Sequence, residues 1–201
     1  ALFPIPSLTM HFVMSKDSGV TKFSDLEAKT ILLGKGSFGA KEGAKYLKLF
    51  GLEGKVKLAN VELNNAVPAI KNRQIDGFVT AGSYPAPNVL EAAAGVGVSL
   101  ISLSDAQVKK TKRTRLVIPA GTYPGVNQDT VTTSLPVIAY TISNMDDETA
   151  YQLTKTYWEQ ISSMGKAFPW WNGVSAKMLS NVYGKIHAGA LRYYDEAGIT
   201  V

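Results

Sequence analysis

Cysteine is absent from the 201 residues, which excludes disulfides and thiolate chemistry but leaves the redox compartment open, because an oxidising space tolerates a chain without thiols. Histidine is almost as scarce, with only His11 and His187. Neither pairs with another histidine or with carboxylates at metal-ligand spacing, and no Gly-x-Ser-x-Gly elbow is present. His11 alternates with apolar neighbours and reads as a packed or edge residue; His187 precedes a helix and reads as a cap or turn. With no nucleophile beside a base, the chain reads as a non-enzyme that uses no cofactor. No apolar run approaches the ~20 residues that cross a bilayer, and there is no internal repeat or low-complexity stretch. Ala1 opens the chain without an initiator Met or a charged-then-apolar leader, so the start reads as processed or truncated.

What is present is a globular composition, 45% hydrophobic, enough for one substantial core or two small ones. The formal charge of +5 favours anionic partners. Much of the excess lies in Lys109, Lys110, Lys112, Arg113 and Arg115, which read as a solvated helix face and linker. No Phe or Tyr is interleaved there to stack bases, which argues against nucleic acid.

The richest stretch is a strand over Thr30 to Leu33 that opens into Gly34-Lys35-Gly36-Ser37-Phe38-Gly39 and then a helix from Gly39 to Phe50, stopped by Gly51. A helix start presents free N–H groups and the positive end of a dipole, a seat for a carboxylate or phosphate. Further strands are expected over Lys55 to Leu63, Ile75 to Thr80 and Val98 to Leu103, with helices around Val67 to Ile70 and Val89 to Gly95. Such units imply a parallel sheet, with ligands beyond its carboxyl ends, where Gly34 to Gly39 and Gly82-Ser83-Tyr84-Pro85 fall. Thr130 to Thr141 is too long for one ordinary strand and contains Pro136; it reads as a strand crossing between two bodies. A helix capped by Asn144 follows, with Ala150, Leu153, Tyr157, Ile161 and Met164 as its apolar face. Trp170-Trp171 reads as a packing element.

Two functions fit the glycine loop. Gly34-x-Gly36-x-x-Gly39 is the dinucleotide fingerprint in its proper place, with Glu62 where a ribose-binding acid would lie. The alternative is a carboxylate seat in a binding protein. A kinase loop is excluded, because no His-Arg-Asp, Asp-Phe-Gly or strand lysine follows.

Five segments decide the preference: Lys16-Asp17-Ser18-Gly19 with Asp25-Leu26; Gly36-Ser37 at a helix start; Gln74-Ile75-Asp76 leading to Gly82-Ser83-Tyr84-Pro85; Ile118-Pro119-Ala120-Gly121-Thr122-Tyr123-Pro124-Gly125; and His187-Ala188-Gly189-Ala190 with Arg192-Tyr193-Tyr194 and Glu196-Ala197-Gly198. In this order and spacing the chain resembles the TAXI-type solute-binding receptors of tripartite ATP-independent periplasmic (TRAP) transporters. The resemblance implies an α/β, type II periplasmic-binding-protein fold, with one complete parallel-sheet lobe and a partial second lobe joined by hinge strands. Residues 1–16 would be a hinge crossing and remnant of the first lobe, 17–118 the complete lobe, and 119–201 the return crossing and helical remainder. It further implies a periplasmic or extracytoplasmic receptor for a small carboxylate of the C4-dicarboxylate, glutamate or 2-oxoglutarate type, delivered to membrane permease subunits. Gly36, Ser37, Phe38, Gly39, Gly82, Ser83 and Tyr84 would bind the ligand.

The chain departs from the family pattern at three places. Phe38-Gly39 replaces a Gly-Thr pair, putting a ring at the mouth of the seat and removing a hydroxyl, and Ala188 replaces a proline. The strand-helix-strand section expected before the first crossing is missing, which leaves half a lobe uncovered and implies a homodimer through the incomplete lobe, or a truncated interaction protein that no longer serves transport.

Overall fold

Apolar residues alternate along the strands so that neighbours point to opposite faces, and in the computed structural model, which describes residues 1–201, helices cover both faces. In β2 (Thr30–Leu32), Ile31 packs with Phe12, Met14, Tyr46, Leu47 and Val79, whereas Leu32 packs with Val13, Ala66, Ile70, Phe78 and Val89. β1 (Phe3–Ser15) and β4 (Gly77–Gly82) divide their side chains in the same way. Burial on both faces is what a strand in a doubly covered α/β sheet requires. One face is covered by α1 (Phe38–Leu49) and α4 (Asp105–Thr111), the other by α2 (Ala66–Lys71) and α3 (Pro87–Val96).

The sheet order is β3 (Lys57–Leu58), β2, β4, β1, β7 (Thr130–Ala139), β6 (Thr114–Ile118), with β5 (Val98–Leu100) also pairing with β1. β2 runs parallel to β3 and β4, as strand-helix-strand units demand. The sheet is nevertheless mixed rather than parallel throughout, because β1 lies antiparallel to β4 and β5, and β6 antiparallel to β7. β1 precedes the first strand-helix unit, so no crossover helix fixes its direction. The strand expected over Lys55 to Leu63 shrinks to Lys57–Leu58 at the sheet edge.

The chain forms two compact units, Thr9–Leu135 and Ala1–Leu8 with Pro136–Val201. β7 runs unbroken through Pro136. In the larger unit, the run from Lys109 to Arg115 is only partly a solvated face. Lys109, Lys110 and Lys112 are exposed at the end of α4, but Arg113 grips the buried carboxylate of Glu42 on α1, Nε to Oε2 at 2.8 Å and Nη2 to Oε1 at 2.7 Å. Their spacing of 71 residues hid the pair from local reading.

In the smaller unit, α5 (Asp147–Ala167) is capped by Asp146, whose carboxylate accepts from Thr149 N at 2.8 Å, not by Asn144. Its buried positions are Ala150, Tyr151, Thr154 and Gly165, and Leu153 is 45% exposed. The buried stripe is rotated from the expected one because α6 (Ala188–Glu196) lies against the first turns of α5: a Cβ on Gly189 would fall 2.8 Å from Tyr151 N. The N-terminal segment is held to this unit by Tyr157, which stacks on Phe3 at 3.9 Å and donates to Pro4 O, and by Tyr194, which donates to Leu2 O.

Candidate functional site

β2, β3 and β4 follow one another along the chain, yet β2 lies between the other two. The connection from β2 departs toward β3, and the next connection returns across β2 to β4. A topological switch point of this kind leaves a crevice outside the carboxyl ends of the adjacent strands, where ligands of open α/β sheets bind. Gly34 to Gly39 follows β2, and Gly82-Ser83-Tyr84 closes β4 and its exit. The fold therefore brings together the two segments that the sequence singled out separately.

The glycine loop has local reasons for its composition. Gly34 and Gly36 take φ of +74° and +79°, a region that suits glycine. Gly39 is required for a different reason: a Cβ there would lie 2.9 Å from Ala81 N, so its absence lets the first turn of α1 sit on the end of β4. Gly36 and Gly82 both have open space where a side chain would project. Ser37 caps α1, its Oγ accepting from Ala40 N at 3.0 Å and donating to Gly34 O at 2.8 Å. The hydroxyl proton is thus used within the loop. The N–H groups of Phe38 and Gly39, first in the helix, have no intrahelical acceptor. Phe38 is partly buried against the α1-side core, its ring centroid 5.9 Å from the Arg113 guanidinium carbon. Tyr84 packs against the opposite core, and burial raises the pKa of its hydroxyl. Glu62 is exposed, one residue before Leu63, whose Cβ packs on Gly34.

Behind the Gly82 to Pro85 segment runs a buried relay that local sequence reading did not find. Thr9 O can only accept, so His11 Nδ1, 3.0 Å away, carries the ring proton and Nε2 is left as an acceptor. Tyr123 Oη donates to Nε2 at 2.7 Å and accepts from Ala86 N at 2.8 Å. The chain of bonds fixes the start of α3, and so the exit from Tyr84, to the middle of β1. The only sequence signals were His11 at an apolar strand position and Tyr123 in a turn-rich motif, 112 residues apart.

Burial lowers the His11 pKa to about 4, outweighing the Thr9 carbonyl, which raises it. Unfolded His11 takes up a proton near pH 6.5 that the folded protein refuses until about pH 4, so stability falls as the pH drops through this window. The expected loss between pH 7 and pH 4 is roughly 2–3 kcal/mol. Urea titrations across that range should show it, and His11→Gln should flatten this part of the profile. An unchanged slope in the variant would remove His11 as its source.

These features define the class: an α/β unit with a glycine loop and a helix start at a sheet switch point. The chain belongs to the NMT1-like family, whose model matches residues 1–198. Its α/β fold resembles those of solute-binding proteins. Similar solved structures include the alkanesulfonate-binding protein SsuA from Xanthomonas axonopodis pv. citri bound to MOPS, at 15% identity over 97% of this chain and 60% of that one, TM-score 0.42. An ancestral arginine-binding protein bound to arginine matches at 15% identity, 90% and 64% coverage and TM-score 0.42. The GluR0 ligand-binding core from Nostoc punctiforme in complex with L-glutamate matches at 15% identity, 80% and 57% coverage and TM-score 0.40. The chain spans 57–64% of the length of these three structures.

Proposed function

We propose that the chain is the binding component of a solute uptake system, an extracytoplasmic receptor of the TAXI type that captures a small carboxylate for the permease subunits of a TRAP transporter. The observation that carries this reading is the junction at Gly39, where the free N–H groups of the α1 first turn meet the end of β4 at the switch point. Phe38 N and Gly39 N would donate to one carboxylate, with Gly36, Gly82, Ser83 and Tyr84 shaping the pocket around the rest of the solute. Family membership over residues 1–198 supports a binding role. In this reading residues 17–118 belong to one lobe and the flanking segments to the other, and a second copy of the chain would complete what the partial lobe leaves open.

A single substitution separates ligand recognition from folding. Aspartate caps helices as well as serine does, so Ser37→Asp should keep α1 intact while placing a negative charge in the anion seat. A thermal-shift panel of C4-dicarboxylates, glutamate, 2-oxoglutarate and nucleotides should find one carboxylate that stabilises the protein, by about 2.7 kcal/mol at 100 times its dissociation constant. Ser37→Asp should weaken that carboxylate more than tenfold with the ligand-free melting temperature unchanged. A panel with no carboxylate response, or a variant that titrates like the parent, refutes the assignment. Binding of NAD that is lost in Glu62→Ala would instead favour the dinucleotide reading of Gly34-x-Gly36-x-x-Gly39.

A further inference from the structure

We propose that the face formed by α1 and α4 docks on the headgroups of an anionic lipid surface. The two helices lie side by side: Lys45 Nζ donates to Thr111 O at 3.1 Å, and Arg113 reaches across to Glu42. This brings the end of α4, which carries Lys109, Lys110 and Lys112, to Lys45 of α1, with Lys41 one turn earlier on the same side of that helix. With the Lys48–Glu53 and Arg115–Asp105 pairs set aside, six basic side chains, Arg113 included, stand against one carboxylate, that of Glu42, which the Arg113 fork already holds. The local excess of five equals the formal charge of the whole chain, so the other fifteen basic and fifteen acidic residues cancel. The remaining residues are therefore balanced in number.

The adjoining acids do not dilute it. Glu53 pairs with Lys48 and Asp105 with Arg115, each an acid already matched by a base of its own. Lys41, Lys109, Lys110 and Lys112 are exposed and enter none of the ion pairs.

The residue types choose the partner. Protein interfaces favour Arg and aromatic anchors and are poor in Lys, and single-stranded nucleic acid needs exposed rings for stacking. Here the free cations are all lysines. The exposed aromatic residues, Tyr140, Phe168 and Tyr183, belong to the other unit, while Phe38, at the edge of this face, is partly buried. Flexible, strongly hydrated point charges, with Leu49 at 36% exposure the one large apolar side chain exposed on α1, suit a fluid layer of anionic headgroups, where each lysine near the surface contributes on its own. No helix is long and apolar enough to cross a membrane.

The test is co-sedimentation of the whole chain with vesicles of phosphatidylcholine, with and without phosphatidylglycerol. Binding is expected only to the anionic vesicles, and should disappear near 1 M salt, where the Debye length is about 3 Å. Lys41→Gln, Lys109→Gln, Lys110→Gln and Lys112→Gln together should lower the partition coefficient several-hundred-fold, at roughly fivefold per lysine. A control replacing Lys55, Lys57, Lys166 and Lys177 by Gln removes the same charge elsewhere and should retain most of the binding. Circular dichroism melts establish that both variants fold. Equal losses in the two variants would show that net charge alone is sensed and would overturn the proposal. So would a parent protein that ignores anionic vesicles, whether or not it binds an acidic polypeptide.

Discussion

Alanine at Gly189 is expected to lower the melting temperature of the smaller unit by roughly 6–12 °C, the counterpart of about 3 kcal/mol in a chain of this size. The added methyl would fall 2.8 Å from Tyr151 N and closer still to Asp147 O. Both are backbone atoms in the first turns of α5, so neither can swing aside as a side-chain end would. α6 would have to lift, and with it Ala190 and Tyr194, which share a core with Leu2, Ala150 and Leu179. Ala188→Pro provides the contrast one residue away. Ala188 is the first residue of α6, where the missing N–H and fixed φ of proline are tolerated, and its effect should be small or favourable. A Gly189→Ala protein that melts with the parent would mean that the two helices are not in the contact described.

Removing Arg113 should have a comparable effect by a different route. Arg113→Ala leaves Glu42, only 6% exposed, without its bidentate partner, and breaking a buried pair from one side typically costs roughly 3–5 kcal/mol. Lys45, 3.8 Å away, is too distant to replace two charge-assisted hydrogen bonds. The Arg113 hydrogen bonds hold the Glu42 carboxyl below its ordinary pKa of 4.5, against the opposing effect of burial. The sign follows: the pair's contribution is fully present above the ordinary carboxylate range and fades as the pH falls through the lowered value. Chemical denaturation at pH 7 should therefore separate parent from variant widely, and the gap should narrow in acid. A gap that stays constant to pH 3 would assign the loss to packing of the arginine stem instead.

Much of the larger unit was legible because its signals are local. A strand that ends in glycines, a serine cap and apolar residues three and four apart located β2 and α1 within a residue or two, and the glycines of the loop are demanded by positive φ at Gly34 and Gly36. What depends on distant partners was not legible. The direction of β1 within the sheet, the Arg113 to Glu42 pair and the relay from His11 through Tyr123 to Ala86 join residues 37 to 112 positions apart. The rotation of the buried stripe on α5 was hidden for the same reason, since α6 selects the face and α6 lies beyond two short 3-10 helices, Pro169–Gly173 and Ala176–Asn181. The candidate site falls between these cases. Each of its two segments carried its own signal, but that β2 and β4 are neighbours is a fact of topology that neither segment contains.

The division of the chain also sets an order of assembly. Residues 9–135 are continuous, whereas the smaller unit draws on Ala1–Leu8 and on Pro136–Val201. As the chain leaves the ribosome, the larger unit has all of its residues while Tyr157 and Tyr194, which bind the carbonyls of Pro4 and Leu2, are still to be made. Folding proceeds from the N-terminus as domains are completed, so Ala1–Leu8 cannot meet these partners until residues 136–201 have followed. Within β1, the part before Thr9 is thus fixed after the part that follows it.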